Sequence, residues 1–333
     1  MKIAVCVSNC KILVRHSLLK YFSKYIFKDT YNWAEKLAEY LNDNNILYDF
    51  VYIDENDWIE KIDKYDVVIW KTAFMGVKSS QILKEKVFFM QEIMQKRVFP
   101  NYNTVWHFDS KIAQSYLLRY KKIKTPETFV SFDYNNILNN IDLFKYPVVI
   151  KETNGAGSSS VSLVKSPKHL VKYVNKRFLW ENIFSRKLSS RLFDRFGQIY
   201  LQEFIPNNNS DLRITIIGHK YAFGFWRKNR HGDFRASGSG RLDYVTDVPP
   251  QIIKYCSQIS KSNNFDSMAY DILFRNGEFM VVEMSYGYSD KAIYNSNGYY
   301  ILDENGDIKS FEKGHYWPQQ LWIKWILESC CLK

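Results

Sequence analysis

Residues 268–286 read MAYDILFRNGEFMVVEMSY, and this stretch predicts a β-hairpin. Apolar residues alternate with polar ones on both sides of Asn276-Gly277, a pair that favours a two-residue turn. Asp271 and Glu283 lie at similar distances from that turn, so we expect them to be cross-strand neighbours on one face. Both acids lie inside strongly apolar strands, where an unpaired carboxylate is costly. We therefore interpret them as ligands for a hard cation such as Mg²⁺ beside phosphates.

A second polar loop lies upstream, between the apolar runs YPVVIK at 146–151 and SVSLV at 160–164. Gly155 and Gly157 allow backbone N–H groups to approach an oxyanion closely, and the serines that follow add donors, so the loop suits phosphate. It is not a P-loop, because no Gly-Lys-Ser/Thr follows. Such a loop is more often solvent-exposed decoration, so the phosphate interpretation depends on the other motifs.

The first hundred residues predict a small doubly wound α/β domain. Strand-like apolar runs and helix-period segments alternate there: strands at 2–7, 47–53 and 66–70, helices at 31–44, 56–63 and 79–94. No GxGxxG follows the first strand, so nothing indicates dinucleotide binding. Later, 165–195 contains nine Lys or Arg against two acids, and its second half, 177–196, predicts an amphipathic helix.

Composition sets limits on the functional class. The 333 residues include 46 Lys and Arg against 35 Asp and Glu, a formal charge of +11. That excess fits nucleic acid, an anionic membrane surface or acidic small substrates, and composition alone does not choose among them. No apolar run is long enough to span a membrane, and the N-terminus lacks a secretory pattern, so we expect a cytoplasmic protein. The five cysteines form no CxxC pair and predict reduced thiols.

Taken in order, the motifs resemble the ATP-grasp superfamily, closest to its glutathione-synthetase and ribosomal-protein glutamate-ligase branch. The resemblance covers about 100–290 and rests on Asp109-Ser110-Lys111, PVVIK, GAGSSSV, QEFIP at 202–206, Asp211-Leu212-Arg213, the span from Arg227 to Arg235 with its Gly-rich tail, and Asp271 with Glu283-x-Ser285. Several phrases, such as DFRASGSG and GHYWP, are similar to ATP-grasp proteins of bacterial capsule and lipopolysaccharide gene clusters.

The resemblance implies a mixed α/β and α+β fold. A small doubly wound pre-ATP-grasp domain over 1–105 would precede a two-lobed ATP-grasp fold. The small lobe would cover 106–200, with a basic helical insertion at 165–195. The large lobe, 201–333, would carry the metal site and a C-terminal helix.

The resemblance also implies ATP and Mg²⁺ as cofactors and assigns a nucleotide site. Lys111 and Lys151 would hold the α- and β-phosphates between the lobes, and a mobile loop would close over the β- and γ-phosphates. That loop would consist of Ser158, Ser159 and Ser160. Glu203 and the backbone at Phe204 and Ile205 would receive the adenine, and Asp211 would bind the ribose hydroxyls.

The metal and catalytic residues follow from the same resemblance. Asp271 and Glu283 would bind Mg²⁺ together with Ser285, which stands where the family usually has Asn. Arg227 and Arg235, with Lys151, would stabilise the transferred phosphoryl group, because a loose transition state needs positioned cations.

The implied activity is an ATP-dependent carboxylate–amine ligase that forms an amide through an acyl phosphate. Its substrates would be a small carboxylate and an amine, such as a sugar acid or an amino acid used in surface polysaccharide biosynthesis, with a lipid-linked or nucleotide-linked sugar as one form. A small-molecule kinase on the same lobes is one alternative. A basic, non-catalytic protein that uses 165–195 to bind anionic lipid or nucleic acid is another, and peripheral contact with the inner face of the membrane stays open for that segment. No RNP, KH or zinc-finger pattern supports nucleic acid, so we expect no such partner.

Overall fold

The chain is known from a computed structural model that describes residues 1–8, 33–71, 77–153, 161–180 and 197–331. Its strands fall into three sheets, which follow one another along the chain in the order of the predicted domains. The domain limits near 105 and 200 stay a prediction. Two predicted segments lie outside the described residues: the serine loop at 154–160 and, apart from its first four residues, the helix at 177–196.

The N-terminal sheet is parallel, with the strand order β2-β1-β3-β4. Its strands are β1 Ile3–Val7, β2 Tyr48–Tyr52, β3 Val67–Ile69 and β4 Arg97–Phe99. The helices between them are α1 over 33–43, α2 Trp58–Ile62 and α3 Val77–Phe88, which continues as a π-helical turn over Phe89–Ile93. All five residues of β1 are buried, as expected for a parallel strand that is covered on both faces. The predicted α/β domain is thereby confirmed, with β4 as an additional strand.

The second sheet is antiparallel and has the order β5-β8-β6-β7. Two capped helices precede it, α4 Tyr102–Val105 and α5 Lys111–Tyr120, and the Ser110 side chain accepts a hydrogen bond at the start of α5. The strands are β5 Thr128–Ser131, β6 Val148–Lys151, β7 Val161–Val164 and β8 Ile199–Glu203. Helical segments cover one face: α6 Tyr134–Asn139, a 3₁₀ turn Ile141–Leu143, and α7 Pro167–Asn175 with a π-helical turn Lys176–Trp180. We call this unit the small lobe.

The third sheet has seven strands and forms the large lobe. Its order is β13-β12-β9-β10-β14-β15, and β11 pairs with β10. The strands are β9 Ser210–Ile217, β10 Tyr221–Lys228, β11 Leu242–Asp243, β12 Ser267–Arg275, β13 Glu278–Ser285, β14 Gly298–Leu302 and β15 Ile308–Lys313. The helices are α8 Pro250–Ser262, α9 Asp290–Tyr294 and α10 Pro318–Cys331.

The β12–β13 hairpin matches the sequence-based prediction. Asn276 and Gly277 both have positive φ, 51° and 83°, which is the geometry that a two-residue primed turn requires. Asp271 pairs directly with Glu283 across the two strands. The register shifts just after Asp271, and this irregularity lies beside the paired acids.

The N-terminal sheet and the large lobe share one hydrophobic core. Trp322 of α10 packs edge-on against Phe99 at a centroid distance of 4.8 Å, and Trp33 of α1 contacts the same indole. Asp266 ties the two units by charge, because it accepts from Arg97 at 2.8 Å and from the Asn101 backbone N–H at 2.8 Å. In the described part of the chain, no helix combines the length and the apolar surface needed to cross a bilayer.

Candidate functional site

A cleft of about 130 Å³ lies between the small-lobe sheet and the large-lobe sheet. Both lobes and the segment that links β8 to β9 supply its walls. The small lobe contributes Val149, Lys151, Val161, Gln202 and Glu203; the link contributes Phe204, Ile205, Asn207 and Asn208; the large lobe contributes Asp211, Arg227, Asn229, Phe234, Arg235, Ala236, Ser237, Asp271, Leu273, Val282 and Glu283.

Part of the cleft lining is apolar. Val149 from the small lobe and Leu273 from the large lobe line it, together with Phe204 and Ile205. The Phe204 and Phe234 rings meet edge to face at 5.7 Å. An apolar slot with backbone groups at its rim suits a flat heterocyclic base.

Lys151 ends β6 and points into the polar part of the cleft. Its Nζ donates to the Gln202 Oε1 at 2.7 Å. Burial lowers the pKa of Lys151 to about 8, although the carboxylates of Glu283 and Asp271 favour its charged form. The nearby ammonium group of Lys111 also disfavours the charged form of Lys151. The site therefore holds two ammonium groups that a bound anion would stabilise.

The large-lobe wall carries an ion-pair network that we call the charged network, made of Asp211, Arg227, Asp271 and Arg213. Arg227 forms a bidentate pair with Asp211, with both N···O distances at 2.6 Å, and it reaches Asp271 at 2.7 Å. Arg213 Nε and Nη2 donate to Asp271 at 2.8 and 2.9 Å. Burial disfavours the charge on Asp271, but Arg213 and Arg227 outweigh it and hold its pKa below the usual value. The two acids likewise raise the pKa of Arg227 against its burial.

Glu283 lies directly opposite Asp271 and has very different surroundings. Its side chain is half-buried and forms no hydrogen bond or ion pair with any residue that the structure describes. Ser285, two residues further on β13, accepts a hydrogen bond from the Gly287 backbone N–H at 3.1 Å. The hairpin therefore brings one carboxylate that is already paired, Asp271, opposite one that is open, Glu283.

Other predicted site residues lie around the same cleft. Glu203 forms an ion pair with Arg275 at 2.6 Å, at the end of β12. Arg235 pairs with Asp233 and also donates to the Val161 carbonyl at 3.2 Å, so it bridges the lobes. Lys111 is buried at the start of α5, where its backbone N–H donates to the Thr153 carbonyl. Ser158, Ser159 and Ser160 lie outside the described residues.

Asp211, which the sequence analysis assigned to the ribose, forms an ion pair with Arg227. Its carboxylate is buried and both oxygens accept from Arg227. A contact with ribose hydroxyls would have to share or displace this pair. The ribose assignment stays a prediction.

Sequence reasoning gave no role to three residues that shape the cleft: Arg213, Gln202 and Asn208. Arg213 could have been found, because strand alternation places it on the same face as Asp211. Gln202 holds Lys151, and its amide donates to Thr128 and Tyr200. The Asn208 side chain accepts a hydrogen bond from the Phe274 backbone N–H and donates one to the Phe274 carbonyl, and so fixes the link segment to β12. The two residues are far apart in sequence, so no local sequence pattern predicts this contact.

The donor set at β12–β13 fits Mg²⁺ in its chemistry. Two carboxylates on facing positions, with the hydroxyl of Ser285 on the same strand as Glu283, offer the hard oxygen ligands that Mg²⁺ prefers. Within the described ranges no group of three or more His, Cys, Asp or Glu is placed to hold a metal ion. Mg²⁺ usually takes one or two carboxylates and completes its shell with water and phosphate oxygens, so two acids suffice.

Comparison with known proteins gives the family and the fold. The family model described as a RimK-like ATP-grasp domain matches residues 109–297. Among curated proteins, an alpha-aminoadipate–LysW ligase, LysX, of Saccharolobus solfataricus is 29% identical over 164 residues, which are 49% of this chain and 56% of that protein. The matched region thus spans about half the length of this curated relative.

Solved structures share the fold at low sequence identity. A D-alanine–D-alanine ligase from Bacillus anthracis complexed with ATP has a TM-score of 0.55 at 16% identity, with 86% of each chain covered. A RiPP-associated ATP-grasp ligase of Chryseobacterium gregarium, in complex with ADP and a leader and core peptide, has a TM-score of 0.57 at 15% identity. That match covers 88% of this chain and 91% of the ligase.

Proposed function

Because this chain belongs to the RimK-like ATP-grasp family, we propose that it is an ADP-forming carboxylate–amine ligase. ATP and Mg²⁺, the cofactors predicted from the sequence, are those of the family. In the proposed reaction ATP transfers its γ-phosphoryl group to a carboxylate, which releases ADP and leaves an acyl phosphate. An amine then attacks the acyl carbon, displaces phosphate and loses a proton to give the amide. Splitting the reaction in this way makes amide formation feasible in water.

The observation that carries the proposal is the opposition of charges across the cleft. Lys151 stands on the small lobe, while Asp271 and Glu283 stand on the facing strands of the large lobe. Lys151 and Lys111 would hold the phosphates of ATP, with Ser158, Ser159 and Ser160 closing over them. Asp271, Glu283 and Ser285 would hold Mg²⁺, which neutralises phosphate charge and orients the transferred group.

The apolar part of the cleft lining supports adenine as the base. The backbone of Phe204 and Ile205 would meet its polar edge, and the Glu203–Arg275 pair would stand beside it. Asp211 remains our proposal for the ribose contact, with Arg227 as its partner until the nucleotide enters.

The arginines supply the electrostatic stabilisation that phosphoryl transfer requires. Arg227 and Arg235 would face the charge that develops on the transferred group, since each already lies at the cleft wall. Arg227 is held in position by Asp211 and Asp271 before any substrate arrives. Such preorganisation lowers the reorganisation needed when the acyl phosphate forms.

For the substrates we propose an amino acid as one partner and a small carboxylate, such as a sugar acid, as the other. The amino acid is favoured because the LysX relative is named for joining alpha-aminoadipate. A role in surface polysaccharide biosynthesis, in the cytoplasm or at the inner face of the membrane, rests on the resemblance of motifs such as DFRASGSG to capsule-cluster proteins.

An ADP-release screen tests the function. Purified protein with Mg-ATP would be offered a matrix of amino acids, sugar acids and small amines, and products would be identified by mass spectrometry. Amide formation with equal amounts of ADP and phosphate supports the ligase, and Lys151→Ala should remove it. A stable phosphorylated product would instead identify a kinase. Binding of polyanions without any ATP turnover would identify a non-catalytic binding protein.

A further inference from the structure

The side chain of Gln202 lines the cleft, yet the proposed ligase reaction gives it no role. It is only 4% exposed. The strand register places it opposite Thr128 of β5 and Val149 of β6. Residues that face each other on antiparallel strands share a side of the sheet, and side chains alternate along each strand. Gln202, Thr128 and Lys151 therefore point to the side of the sheet that faces the cleft.

The hydrogen bonds of Gln202 determine which way its amide points. Lys151 Nζ donates to Gln202 Oε1 at 2.7 Å, and an ammonium group has no lone pair with which to accept. On the other side, Gln202 Nε2 donates to Thr128 Oγ1 and to the Tyr200 hydroxyl, both at 3.3 Å. Thr128 Oγ1 donates its own proton to the Pro126 carbonyl at 2.9 Å, so it meets the amide as an acceptor. The carbonyl end of Gln202 is therefore directed towards the lysine.

The amide of Gln202 keeps this orientation because the reverse one would lose every contact. Half a turn would bring its N–H groups against the Lys151 ammonium, donor against donor, and would take them away from Thr128 and Tyr200. Buried polar groups that lose their partners destabilise the fold. The orientation of the amide is thus set when the sheet folds, before a nucleotide arrives.

An ammonium group that is held in advance binds a phosphate at a lower entropic cost. Lysine has a long, flexible stem, and its rotamers must be immobilised when it contacts a ligand. The hydrogen bond to Gln202 holds the Lys151 ammonium before the ligand binds, so less freedom is lost on binding. The bond uses one of the three N–H groups of the ammonium, and the others can donate to phosphate oxygens.

A neutral acceptor also leaves the charge of the lysine available. The Gln202 amide orients Lys151 without neutralising it, whereas a carboxylate at this place would form an ion pair that a phosphate would have to displace. Arg227, on the opposite wall of the cleft, is held in that other way, by the carboxylates of Asp211 and Asp271. The two walls therefore differ in how much positive charge they offer to an anion.

We propose that Gln202 is a positioning residue that holds the Lys151 ammonium ready for the phosphates of ATP, and that Thr128 and Tyr200 fix the amide in this role. The inference rests on the proposed function, because that function assigns Lys151 to the phosphates. Gln202 acts through Lys151 and not through the base. Its effect is on nucleotide binding, so it can be measured without a carboxylate or an amine substrate.

The test compares binding of Mg-ATP, measured by titration calorimetry on the full chain, with binding of adenosine, measured by ligand-observed NMR. Adenosine has the base and the ribose but no phosphate for Lys151 to contact. The main variant is Gln202→Met, which keeps the length of the side chain and removes the acceptor. Tyr200→Phe is a milder variant that removes one acceptor of the amide and keeps the ring, so it decides the question if Gln202→Met does not fold.

Each variant is also made together with Lys151→Met, which completes a double-mutant cycle. The matched control is Gln319→Met. Gln319 is a fully buried glutamine of α10 that donates to Asp290 at 3.0 Å and does not line the cleft. Thermal unfolding of every variant reports stability separately from binding.

We expect Gln202→Met to weaken Mg-ATP binding about tenfold and Tyr200→Phe about threefold, with adenosine affinity changed less than about twofold in both. In the Lys151→Met background the same changes should have little effect on Mg-ATP, because no ammonium is left to hold. The control should bind both ligands normally, whatever its thermal stability.

Equal losses for Mg-ATP and adenosine would overturn the proposal, because Gln202 would then act on the base or on the whole cleft. An unchanged Mg-ATP affinity in Gln202→Met, or losses of equal size with and without Lys151, would overturn it as well. If Mg-ATP does not bind the unchanged protein, the proposed function and this inference both fail. If the expected pattern holds but no substrate gives ADP release, the ligase proposal fails and the role of Gln202 stands.

Discussion

The wall of the cleft that is formed by β9, β10 and β12 and the edge that is formed by β13 hold carboxylates that differ in burial and in ion pairing. On the wall, Asp211 and Asp271 share two guanidinium groups and are almost inaccessible to water. On the edge, Glu283 has no partner among the described residues, although it directly faces Asp271. A buried charge is tolerated when it is paired, whereas an open carboxylate near the half-buried Lys151 is free to bind a ligand. The ion pairs of the wall therefore form without any ligand, and we propose that a cation binds at the edge.

The largest expected effect lies on the wall. Arg227→Met should lower the free energy of unfolding by about 3–5 kcal/mol. It leaves Asp211 and Asp271 buried with only the guanidinium of Arg213, which pairs with Asp271. Chemical denaturation at neutral pH measures the free energy of unfolding of the variant and of the unchanged protein. Lys228→Met, one residue further on the same strand and exposed, is the control and should change stability little. A small loss for Arg227→Met would mean that water reaches the charged network.

Glu283→Gln, in contrast, should change turnover rather than stability. We expect turnover to fall about 10²–10³-fold, because a neutral amide does not replace a carboxylate beside a cation and phosphates. Stability should change little, since Glu283 forms no ion pair with the described chain. Turnover and thermal unfolding are measured together, and Glu278→Gln on the same strand serves as control. Normal turnover would remove Glu283 from the metal site, and a large loss of stability would show that it has a structural partner.

Elements specified by neighbouring residues could be predicted from the sequence. The hairpin depends on Asn276-Gly277 and on the alternation beside it, so its register and the facing of Asp271 and Glu283 followed directly. The first three strands were visible as apolar runs. Strand β4 was missed because Arg97–Phe99 has only two apolar residues before Pro100, whereas β3, equally short, lies within a longer apolar run.

The charged network could not be predicted in the same way. The contact of Arg227 with Asp271 requires the registers of β10 on β9 and of β9 on β12, which join parts of the chain far apart in sequence. Without those registers, Arg227 and Asp211 were each assigned to a substrate group and their pairing was not foreseen. Arg213 was within reach, since it alternates with Asp211 on one strand.

The pH dependence of nucleotide binding tests the small-lobe side of the cleft, where Lys151 lies. Burial brings the pKa of Lys151 to about 8, and phosphate binds the protonated form. Affinity for ATP should therefore be fully present below pH 8 and fall above it, by up to about tenfold per pH unit. Titration calorimetry between neutral and alkaline pH measures the fall. Lys151→Arg keeps its charge throughout this range and should remove the break at pH 8. A break of equal size in Lys151→Arg would assign the titration to another group.

The smallest expected effect concerns Ser285, at the end of the β13 edge. Its hydroxyl is engaged by the Gly287 backbone N–H, so a metal ion would have to share it or bind it through water. Ser285→Asn supplies a carbonyl oxygen with longer reach, and an Asn side chain can still accept the same backbone hydrogen bond.

We expect this change to raise the apparent Mg²⁺ affinity by no more than about threefold, well under 1.4 kcal/mol, with kcat unchanged. Mg²⁺ titration of ADP release at a fixed ATP concentration measures it. Ser289→Asn is the control, because Ser289 caps α9 and Asn is an equally good cap. A tenfold loss of Mg²⁺ affinity in Ser285→Asn alone would contradict the assignment. It would mean that this end of β13 has no room for a longer ligand and that the cation is held by Glu283 and Asp271 without help from position 285.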